Sequence, residues 1–269
     1  AAARRGLARA TTAASRTMWG RRRTARSQRV AVRFGCPVSA SELELSLVES
    51  IQVIGAGRVG SAVSARLREC GVALVEDGSS RSAQLVLLCV PDSAIADVAA
   101  QVEPGPWIAH VSGATPLAAL APHVRRFGLH PLQTFTRARG PEQLDGAYAA
   151  VTAETPEARS LGFELARLLG LEPFELADDA RPLYHAGAAI ASNYLVTLFR
   201  TASALFAAAG APAEGLVPLM RRTIDNGFEL TGPIARGDWE TVEAHVRAIR
   251  AAAPELEPMY LALAEATAP

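Results

Sequence analysis

Ser50-Ile51-Gln52-Val53-Ile54-Gly55-Ala56-Gly57-Arg58-Val59-Gly60 is the stretch that decides the fold, and it continues into Ser61-Ala62-Val63-Ser64-Ala65-Arg66-Leu67. A short apolar run that breaks into glycines before a helical pattern is typical of a buried parallel strand, a tight turn and a helix. The spacing Gly-x-Gly-x-x-Gly in this context predicts a turn that binds a diphosphate group. Free backbone N–H groups and the positive end of the helix both attract such an anion.

Each residue of this turn has a predicted task. Gly55 permits the tight turn, Gly57 lets the phosphates approach the backbone, and Gly60 allows the helix to pack closely on the strand. Arg58 and Val59 complete the predicted binding loop. A strand-to-helix turn without any ligand is the structural alternative.

Composition indicates an ordinary globular chain with room for one large or two smaller domains. It has 269 residues, of which 49% are hydrophobic and 20% charged, enough to bury a large core. All 27 basic residues are arginine. Acidic residues outnumber the arginines after residue 33, which makes nucleic acid an improbable partner for the body of the chain. No apolar run has the roughly 18 to 20 residues that a membrane-spanning helix requires.

The N-terminal part of the chain differs from the rest. Residues 1–33 contain ten arginines and no acidic residue, and residues 1–48 show no regular apolar period, so we expect a basic disordered extension. The first methionine is Met18. Three origins remain open for this extension: an organelle transit peptide, a spurious upstream extension of a GC-rich reading frame, or a nucleic-acid-binding arm.

The three cysteines suggest neither a metal site nor a disulfide framework. Cys36, Cys70 and Cys89 are odd in number and lack ligand spacing. We therefore expect no bound metal, and a reducing compartment such as the cytoplasm.

The segment after the first helix is shorter than a complete dinucleotide-binding half requires. Residues 72–75 predict a short strand, and the next strong strand, residues 85–90, follows too soon to leave room for another helix and strand. Glu76 suits the ribose hydroxyls of NAD, whereas Arg81 suits the additional phosphate of NADP. The choice between the two cofactors stays open.

Further polar groups follow later strands, where the carboxyl ends of parallel strands form a crevice. Val90, Pro91 and Asp92 follow one strand, Ser112 the next, and His130 ends a third. A strand at residues 147–151, a helix to about residue 169 and a strand at 172–176 complete this part. From residue 178 the pattern is entirely helical, with helices expected at about 181–209, 213–230, 238–252 and 254–266.

Several motifs together carry a family resemblance. They are the glycine turn, Val90-Pro91-Asp92, His110-Val111-Ser112-Gly113-Ala114, Leu129-His130-Pro131-Leu132-Gln133-Thr134-Phe135, Tyr184-His185-Ala186-Gly187 with Ala191-Ser192-Asn193, and Leu230-Thr231-Gly232-Pro233-Ile234-Ala235-Arg236-Gly237-Asp238. The chain resembles bacterial proteins that join a Rossmann-like domain to an all-helical C-terminal domain of unassigned function. Those proteins are similar in architecture to ketopantoate reductase, pyrroline-5-carboxylate reductase, the 6-phosphogluconate dehydrogenase group and the deazaflavin-dependent NADP oxidoreductases.

The resemblance implies an α/β fold with a mostly parallel Rossmann-like sheet, abridged in its adenosine half, followed by an all-α domain. The implied boundaries are residues 49–177 for the NAD(P)-binding domain and 178–269 for a helical substrate and dimerisation domain. NADP or NAD is the implied cofactor. The helical domain would close over the nicotinamide and form a homodimer.

Two departures separate this chain from its better-known relatives. Residues 71–84 lack about one helix and one strand of the usual length. Ketopantoate reductase and the hydroxyacid dehydrogenases depend on a lysine, and this chain has none. Their chemistry is therefore not transferable by analogy.

Hydride transfer leaves an oxyanion or amine that needs a proton, and histidine is the natural donor near neutral pH. His185 and Asn193 lie eight positions apart on one predicted helix, on nearly the same face, and His130 ends a strand at the crevice. We predict His185 as proton donor, Asn193 as the group that orients the substrate, and His130 as an assisting residue. A structural role across a helix contact is the alternative for both histidines. Arg236 suits a substrate carboxylate or phosphate, or belongs to a plain connecting loop.

The leading hypothesis is an NAD(P)-dependent oxidoreductase acting on a small carbonyl or imine acid held between the two domains. A non-catalytic nucleotide-binding or scaffold protein on the same fold is the alternative, and the missing lysine and short adenosine half favour it. Hydride exchange with a deazaflavin is a third hypothesis.

Overall fold

The computed structural model describes residues 48–75 and 80–268, in which seven strands form one sheet in the order β2-β1-β3-β4-β5-β6-β7. Strands β1 to β5 run parallel, β6 pairs antiparallel with β5, and β7 is parallel to β6. A mostly parallel sheet followed by helices confirms the predicted fold class. The predictions for residues 1–47 and for Glu76 concern parts of the chain outside the described residues.

Strands and helices alternate in the first part of the chain, and the part after β7 is entirely helical. The strands are β1 (Ser50–Ile54), β2 (Ala73–Leu74), β3 (Leu85–Leu88), β4 (Trp107–His110), β5 (Arg126–Pro131), β6 (Tyr148–Ala153) and β7 (Glu172–Glu175). The α-helices are α1 (Arg58–Glu69), α2 (Ile95–Gln101), α3 (Pro156–Leu168), α4 (Arg181–Ala189), α5 (Leu195–Ala208), α6 (Leu216–Asp225), α7 (Trp239–Ala252) and α8 (Glu257–Thr267).

The adenosine half of the sheet is short, as the sequence predicts. Strand β2 has two residues, and the described residues between β2 and β3 form only the 3-10 turn Ser80–Ser82. Among the described residues, β2 is therefore the edge of the sheet on this side.

The sheet is buried on both faces, which is why its strands are almost continuously apolar. Helices α1 and α3 cover one face, where Leu67, Phe127 and Leu165 belong to one apolar cluster. Helix α2 covers the other face, where Val86, Ile95 and Leu120 belong to a second cluster. Because β1, β3, β4 and β5 run parallel, their carboxyl ends lie along one edge of the sheet.

Helix α3 illustrates how local sequence sets an element. The Thr155 side chain accepts a hydrogen bond from the Ala158 N–H, and Pro156 occupies the first helical position, where its missing N–H costs nothing. Gly162 leaves room for Val151 and Phe127, because a Cβ there would lie 2.6 Å from Val151 Cγ1. The helix therefore packs directly on β5 and β6.

The helical region departs from prediction in two places. The segment 181–209, expected to be one helix, is instead divided into α4, a π-helical turn (Ile190–Tyr194) and α5. The helix expected over 213–230 is wrong at both ends, since α6 begins at Leu216 after a 3-10 turn and ends at Asp225. Gly227 and Phe228 adopt φ angles of 71° and 61°, and such left-handed residues end a helix.

Within the described part of the chain, no helix is both long and apolar enough to cross a bilayer. Cys89 is a free, buried thiol, but Cys70 is disulfide-bonded. The expectation that the cysteines form no disulfide is therefore wrong for Cys70, and the argument from cysteine usage to a reducing compartment loses its support.

Candidate functional site

The glycine turn joins β1 to α1 at the carboxyl edge of the sheet. Gly55 has a φ of 114°, and a Cβ there would lie 2.3 Å from the Cys89 carbonyl oxygen. A Cβ on Gly60 would lie 1.9 Å from the Gly55 carbonyl oxygen. Both glycines are therefore required by the fold itself, for a tight turn and for close packing.

Gly57 differs from these two glycines. Its φ of −73° is accessible to any residue, and nothing lies within 4 Å of the position that a Cβ would occupy. Packing of the described residues therefore gives no reason for glycine at this position. The open space lies at the N-terminus of a 12-residue helix whose first turn contains no acidic residue, an arrangement that favours an anion.

A cavity of about 730 Å³ lies beside this turn. It brings together the three predicted catalytic residues, His130, His185 and Asn193, and two residues of the glycine turn, Arg58 and Val59. The remaining lining residues belong to the loop after β5, to α4 and to the π turn, namely Leu132, Gln133, Thr134, Phe135, Tyr184, Gly187, Ala188, Ala189, Ala191 and Ser192. The volume is in the range of small-molecule and cofactor sites.

The π turn accounts for the joint presence of His185 and Asn193 in this wall. Eight residues of regular α-helix rotate by about 800°, which leaves the second side chain about 80° from the first. The wider turn at Ile190–Tyr194 lowers the rotation per residue and brings the two side chains toward one face. Short π segments frequently occur at functional sites.

Three aromatic side chains meet at the floor of the cavity. His130 Nδ1 lies 2.9 Å from the Tyr184 hydroxyl oxygen, and the His130 and His185 rings pack edge to face with centroids 5.9 Å apart. Gly113 makes this packing possible, because a Cβ there would lie 2.5 Å from His185 Cδ2 and 2.9 Å from His130 Nε2. The end of β5, the loop after β4 and helix α4 thus fit together at one point.

The electrostatics of the floor keep His130 uncharged. Burial, followed by the charges of His185 and Arg181, lowers the pKa of His130 to about 4. Burial also raises the pKa of Tyr184 to about 12, so its hydroxyl keeps its proton at neutral pH. Nδ1 of the neutral His130 ring and the Tyr184 hydroxyl therefore share a hydrogen bond whose direction depends on the His130 tautomer.

A buried guanidinium lies beneath this floor. Arg181 is fully buried, and its Nη1 donates to Thr152 Oγ1 at 2.7 Å, while its Nη2 donates to the Ser112 carbonyl oxygen. No acidic side chain of the described residues forms an ion pair with it. His110 is equally buried beside it, and burial and the Arg181 charge lower the His110 pKa to about 3.

The other predicted cofactor-binding residues take several positions. Ser112 uses its hydroxyl within its own loop, donating to Thr115 Oγ1 at 2.9 Å and accepting from the Thr115 N–H at 3.0 Å. Val90 is half-buried, whereas Pro91 and Asp92 are exposed at the start of a 3-10 turn. The backbone of Arg81 lies in the turn Ser80–Ser82.

Arg236 lies outside the cavity. Its Nη1 donates to the Thr231 carbonyl oxygen in the loop between α6 and α7. Asp238 caps α7, since its carboxylate accepts from the Thr241 N–H at 3.2 Å. Arg236 therefore belongs to a plain connecting loop, the alternative that the sequence left open, and Asp238 is a helix cap.

Sequence reasoning missed several residues of the site. Tyr184 stands next to the predicted His185 within the same motif, so the motif itself held a usable signal. Arg181 precedes Tyr184 by three positions, which places both on one face of α4. Nothing local in the sequence indicates that Gly113 must accommodate two histidines, because both approach it from distant segments.

Among residues 48–75 and 80–268, no group of three or more histidine, cysteine or acidic side chains is placed to hold a metal ion. The site consists of hydrogen-bonding groups beside the open glycine turn. Such a turn beside a cavity, at the carboxyl edge of a parallel sheet, defines the Rossmann-like class of fold.

Comparison with known families agrees with this assignment. Residues 64–135 match the Rossmann-like domain, and residues 147–267 match the domain of unknown function DUF2520. The two matches follow one another in the order that the motif resemblance predicted, a Rossmann-like domain and then a helical domain of unknown function. No curated protein sequence matches it.

Solved structures with the same fold include several oxidoreductases. BF3122 from Bacteroides fragilis, a candidate NADP oxidoreductase, has a TM-score of 0.66 at 19% identity, over 81% of this chain and 97% of that one. A reductive aminase from Aspergillus terreus in complex with NADPH has a TM-score of 0.53 at 18% identity, over 81% and 93%. Pyrroline-5-carboxylate reductase from Streptococcus pyogenes has a TM-score of 0.53 at 12% identity, over 81% and 98%. At these identities the similarity establishes the fold.

Proposed function

We propose that this protein is an NAD(P)-dependent oxidoreductase that transfers a hydride to or from a small carbonyl or imine acid. The observation that carries the proposal is Gly57, where backbone geometry permits any residue and space is open. A ligand that approaches the backbone at that point accounts for the glycine, and the adjoining cavity of about 730 Å³ accommodates a reacting ring and a small substrate.

The residues present fit a dinucleotide. Its diphosphate would lie against the backbone N–H groups of Arg58, Val59 and Gly60, at a helix end without acidic side chains. A bound nicotinamide supplies or accepts the hydride. Solved structures of similar fold contain NADPH in one case and NAD in another, so both cofactors are candidates, and measuring both affinities decides between them.

The chain's own side chains then have distinct tasks. Asn193 offers an amide for orienting a carbonyl or imine, and His185 offers a ring nitrogen for proton transfer. Tyr184 keeps its hydroxyl proton because its pKa is raised to about 12. His130 serves as a neutral hydrogen-bond partner of Tyr184, since its pKa of about 4 leaves it uncharged at neutral pH.

We also propose that the protein forms a homodimer through its helical domain. Helix α5 has no buried residue although it is rich in apolar side chains. Tyr194, at the end of the π turn, is 59% exposed, and Leu198, four positions later on the same side, is 37% exposed. Contiguous apolar surface of this kind marks an interface, and a second copy presents the same surface.

Turnover with NADPH and NADH, measured over a panel of small oxo acids and cyclic imino acids, tests the proposed reaction. We expect His185→Ala to abolish turnover and Asn193→Ala to lower it strongly, with cofactor affinity retained. His245→Ala is the control, because His245 contacts Tyr260 on the far helices. Cofactor binding with no hydride exchange across the panel would instead favour the non-catalytic nucleotide-binding alternative.

A further inference from the structure

The cavity is open at the end where Asn193 lies. Asn193 is exposed, although the proposed reaction uses its amide to orient the substrate. Among the described residues, none that follows Asn193 in the chain lines the cavity, so helices α5 to α8 of the same chain contribute no wall to it. Closed active sites exclude water from the reacting groups, and a single copy of the chain does not provide that closure at this end.

The segment that runs from Asn193 into α5 is exposed on every side. Residues 193–198 are all exposed, and six consecutive residues span more than one helical turn. Four of them have large apolar side chains with exposed fractions of 37% to 59%, namely Tyr194, Leu195, Val196 and Leu198. A helical segment that is apolar all round is normally buried, so another surface is needed to enclose this one.

The loop between α6 and α7 is a second exposed apolar segment. Residues 226–232 are all exposed, with Phe228 at 69% and Leu230 at 62%. The loop nevertheless holds its own shape, since the Asp238 N–H donates to the Pro233 carbonyl oxygen at 2.9 Å. A shaped loop that presents large apolar side chains to solvent is suited to docking on another protein surface.

The backbone of Phe228 supports this interpretation of the loop. Its φ of 61° is rare for a bulky residue and is conformationally costly. Gly227 already supplies the left-handed residue that ends α6, so the turn gives no reason for a phenylalanine at the next position. A contact with another chain accounts for a side chain that is 69% exposed within this one.

A second copy of the chain offers both surfaces at once. In a two-fold symmetric dimer, the loop of each copy is free to pack on residues 193–198 of the other. The charges beside the two segments are complementary, because Arg200 follows the first and Glu229 lies within the second. Neither of these two side chains forms an ion pair with any described residue.

The exposed apolar area is also sufficient for a stable dimer. Among the described residues, 14 of the 17 large apolar side chains that are exposed lie between residues 183 and 263. At roughly 80 Å² of exposed surface each, about half of what a large side chain buries, they exceed the roughly 800 Å² per partner of a standard interface. The sheet domain carries only the other three, so the surplus is specific to the helical region.

We propose that residues 226–232 of a second copy pack around residues 193–198 and complete the wall of the cavity beyond Asn193. Each proposed active site is then built from two copies of the chain. The proposal rests on the proposed function for the reaction at the site, and it specifies which segments meet in the proposed homodimer.

Disulfide cross-linking tests the contact without reference to activity. A Val196→Cys chain and a Phe228→Cys chain with different tags are co-expressed, purified as the mixed dimer and mildly oxidised. We expect a covalent dimer well above the background of the parent chain, because the two new thiols lie on segments that face each other. Val124→Cys with Phe228→Cys is the matched control, since Val124 is 84% exposed on the sheet domain, and it should stay at background.

Three results of this experiment would overturn the proposal. They are a monomeric wild-type protein, a dimer in which the Val196→Cys and Phe228→Cys chains stay at background, and a control pair that cross-links equally well.

Complementation tests whether the second copy completes the site. In a mixed dimer of a His185→Ala chain and a Phe228→Gly/Leu230→Ala chain, one site has both defects and the other has neither. We expect both variant homodimers to be inactive and the mixed dimer to show about half of the wild-type turnover. Glycine suits the φ of 61° at position 228, so this variant removes the side chain and keeps the loop.

A mixed dimer as inactive as both homodimers, or a fully active Phe228→Gly/Leu230→Ala homodimer, would overturn the shared site. A wild-type protein that cross-links as expected but transfers no hydride would remove the proposed function and leave the contact between the two segments standing. A wild-type protein that is active as a monomer would support the proposed function and overturn the shared site.

Discussion

The Tyr184 hydroxyl lies 2.9 Å from Nδ1 of His130, although 54 positions separate the two residues in the chain. The contact joins the end of strand β5 to helix α4, which also carries His185. It is therefore the point at which the helical region meets the sheet edge within the proposed site.

Buried histidines make the stability of this protein depend on pH in a defined range. The pKa of His130 is lowered from 6.5 to about 4, and that of His110 from 6.5 to about 3. Both bind fewer protons in the folded state, so stability is complete above pH 6.5 and falls as the pH falls toward 4. We expect the melting temperature to drop between pH 7.5 and 5, and His110→Asn to flatten that dependence. A wild-type melting temperature that is constant over this range would contradict the prediction.

Gly113 is required by the two histidines that it accommodates. In Gly113→Ala, the new methyl would lie 2.5 Å from His185 Cδ2 and 2.9 Å from His130 Nε2, so one ring must move. We expect a lower melting temperature and loss of turnover. Gly215→Ala is the control, because nothing lies within 4 Å of its Cβ position. Equal behaviour of the two variants would show that the rings are not packed as described.

Arg181 stabilises the floor of the site and influences its charge. Arg181→Met leaves the Ser112 carbonyl oxygen and Thr152 Oγ1 without their donors, which we expect to cost about 1 to 3 kcal/mol in the free energy of unfolding. Because the Arg181 charge lowers the His130 pKa, that pKa should rise in the variant.

Histidine NMR titration measures the expected rise of the His130 pKa separately from the change in stability. Thr152→Val removes one acceptor and keeps the charge, so it should change stability but move the His130 pKa little. If Arg181→Met leaves that pKa at the wild-type value, the electrostatic part of this prediction is wrong.

The exposed apolar face of α5 predicts self-association. Leu195→Glu/Leu198→Glu places two carboxylates one helical turn apart, among side chains that are 40% and 37% exposed, and burial of those charges in an interface is costly. We expect light scattering to give a dimer mass for the wild-type protein and a monomer mass for the variant. Val124→Glu, at an 84% exposed position of the sheet domain, should remain dimeric. A monomeric wild-type protein at micromolar concentration would contradict the prediction.

Local sequence patterns predicted the architecture because its main signals are short-range. Each of these signals is contained in a short stretch of sequence: the glycine turn, the apolar strands and the change to helices at residue 178. The early end of α6 was missed although Asn226-Gly227 carries a usual stop signal. Gly227 adopts the left-handed conformation that ends a helix. The antiparallel direction of β6 is likewise set by its neighbours in the sheet.

The site was predictable where a motif and a sheet edge coincide, as for His130, His185 and Asn193. It was not predictable where distant groups meet inside the protein. Arg181 is separated by 29 positions from Thr152 and by 69 from Ser112, and a buried cation held by neutral acceptors has no pattern in sequence. The buried Gln143, whose Oε1 accepts the Thr136 N–H at 2.7 Å, was missed for a related reason, since an exposed glutamine and a buried one look alike in sequence.

The most direct test of the central claim, that the turn at Gly57 binds a nicotinamide dinucleotide, is a fluorescence titration of NADPH into wild-type protein and Gly57→Ala. Nothing in the fold opposes an alanine at this position, so the variant should keep the wild-type melting temperature while its NADPH affinity falls by about tenfold or more, because the methyl obstructs the phosphates. Equal NADPH affinity in the two proteins, or no binding to the wild type at millimolar NADPH, would contradict the claim.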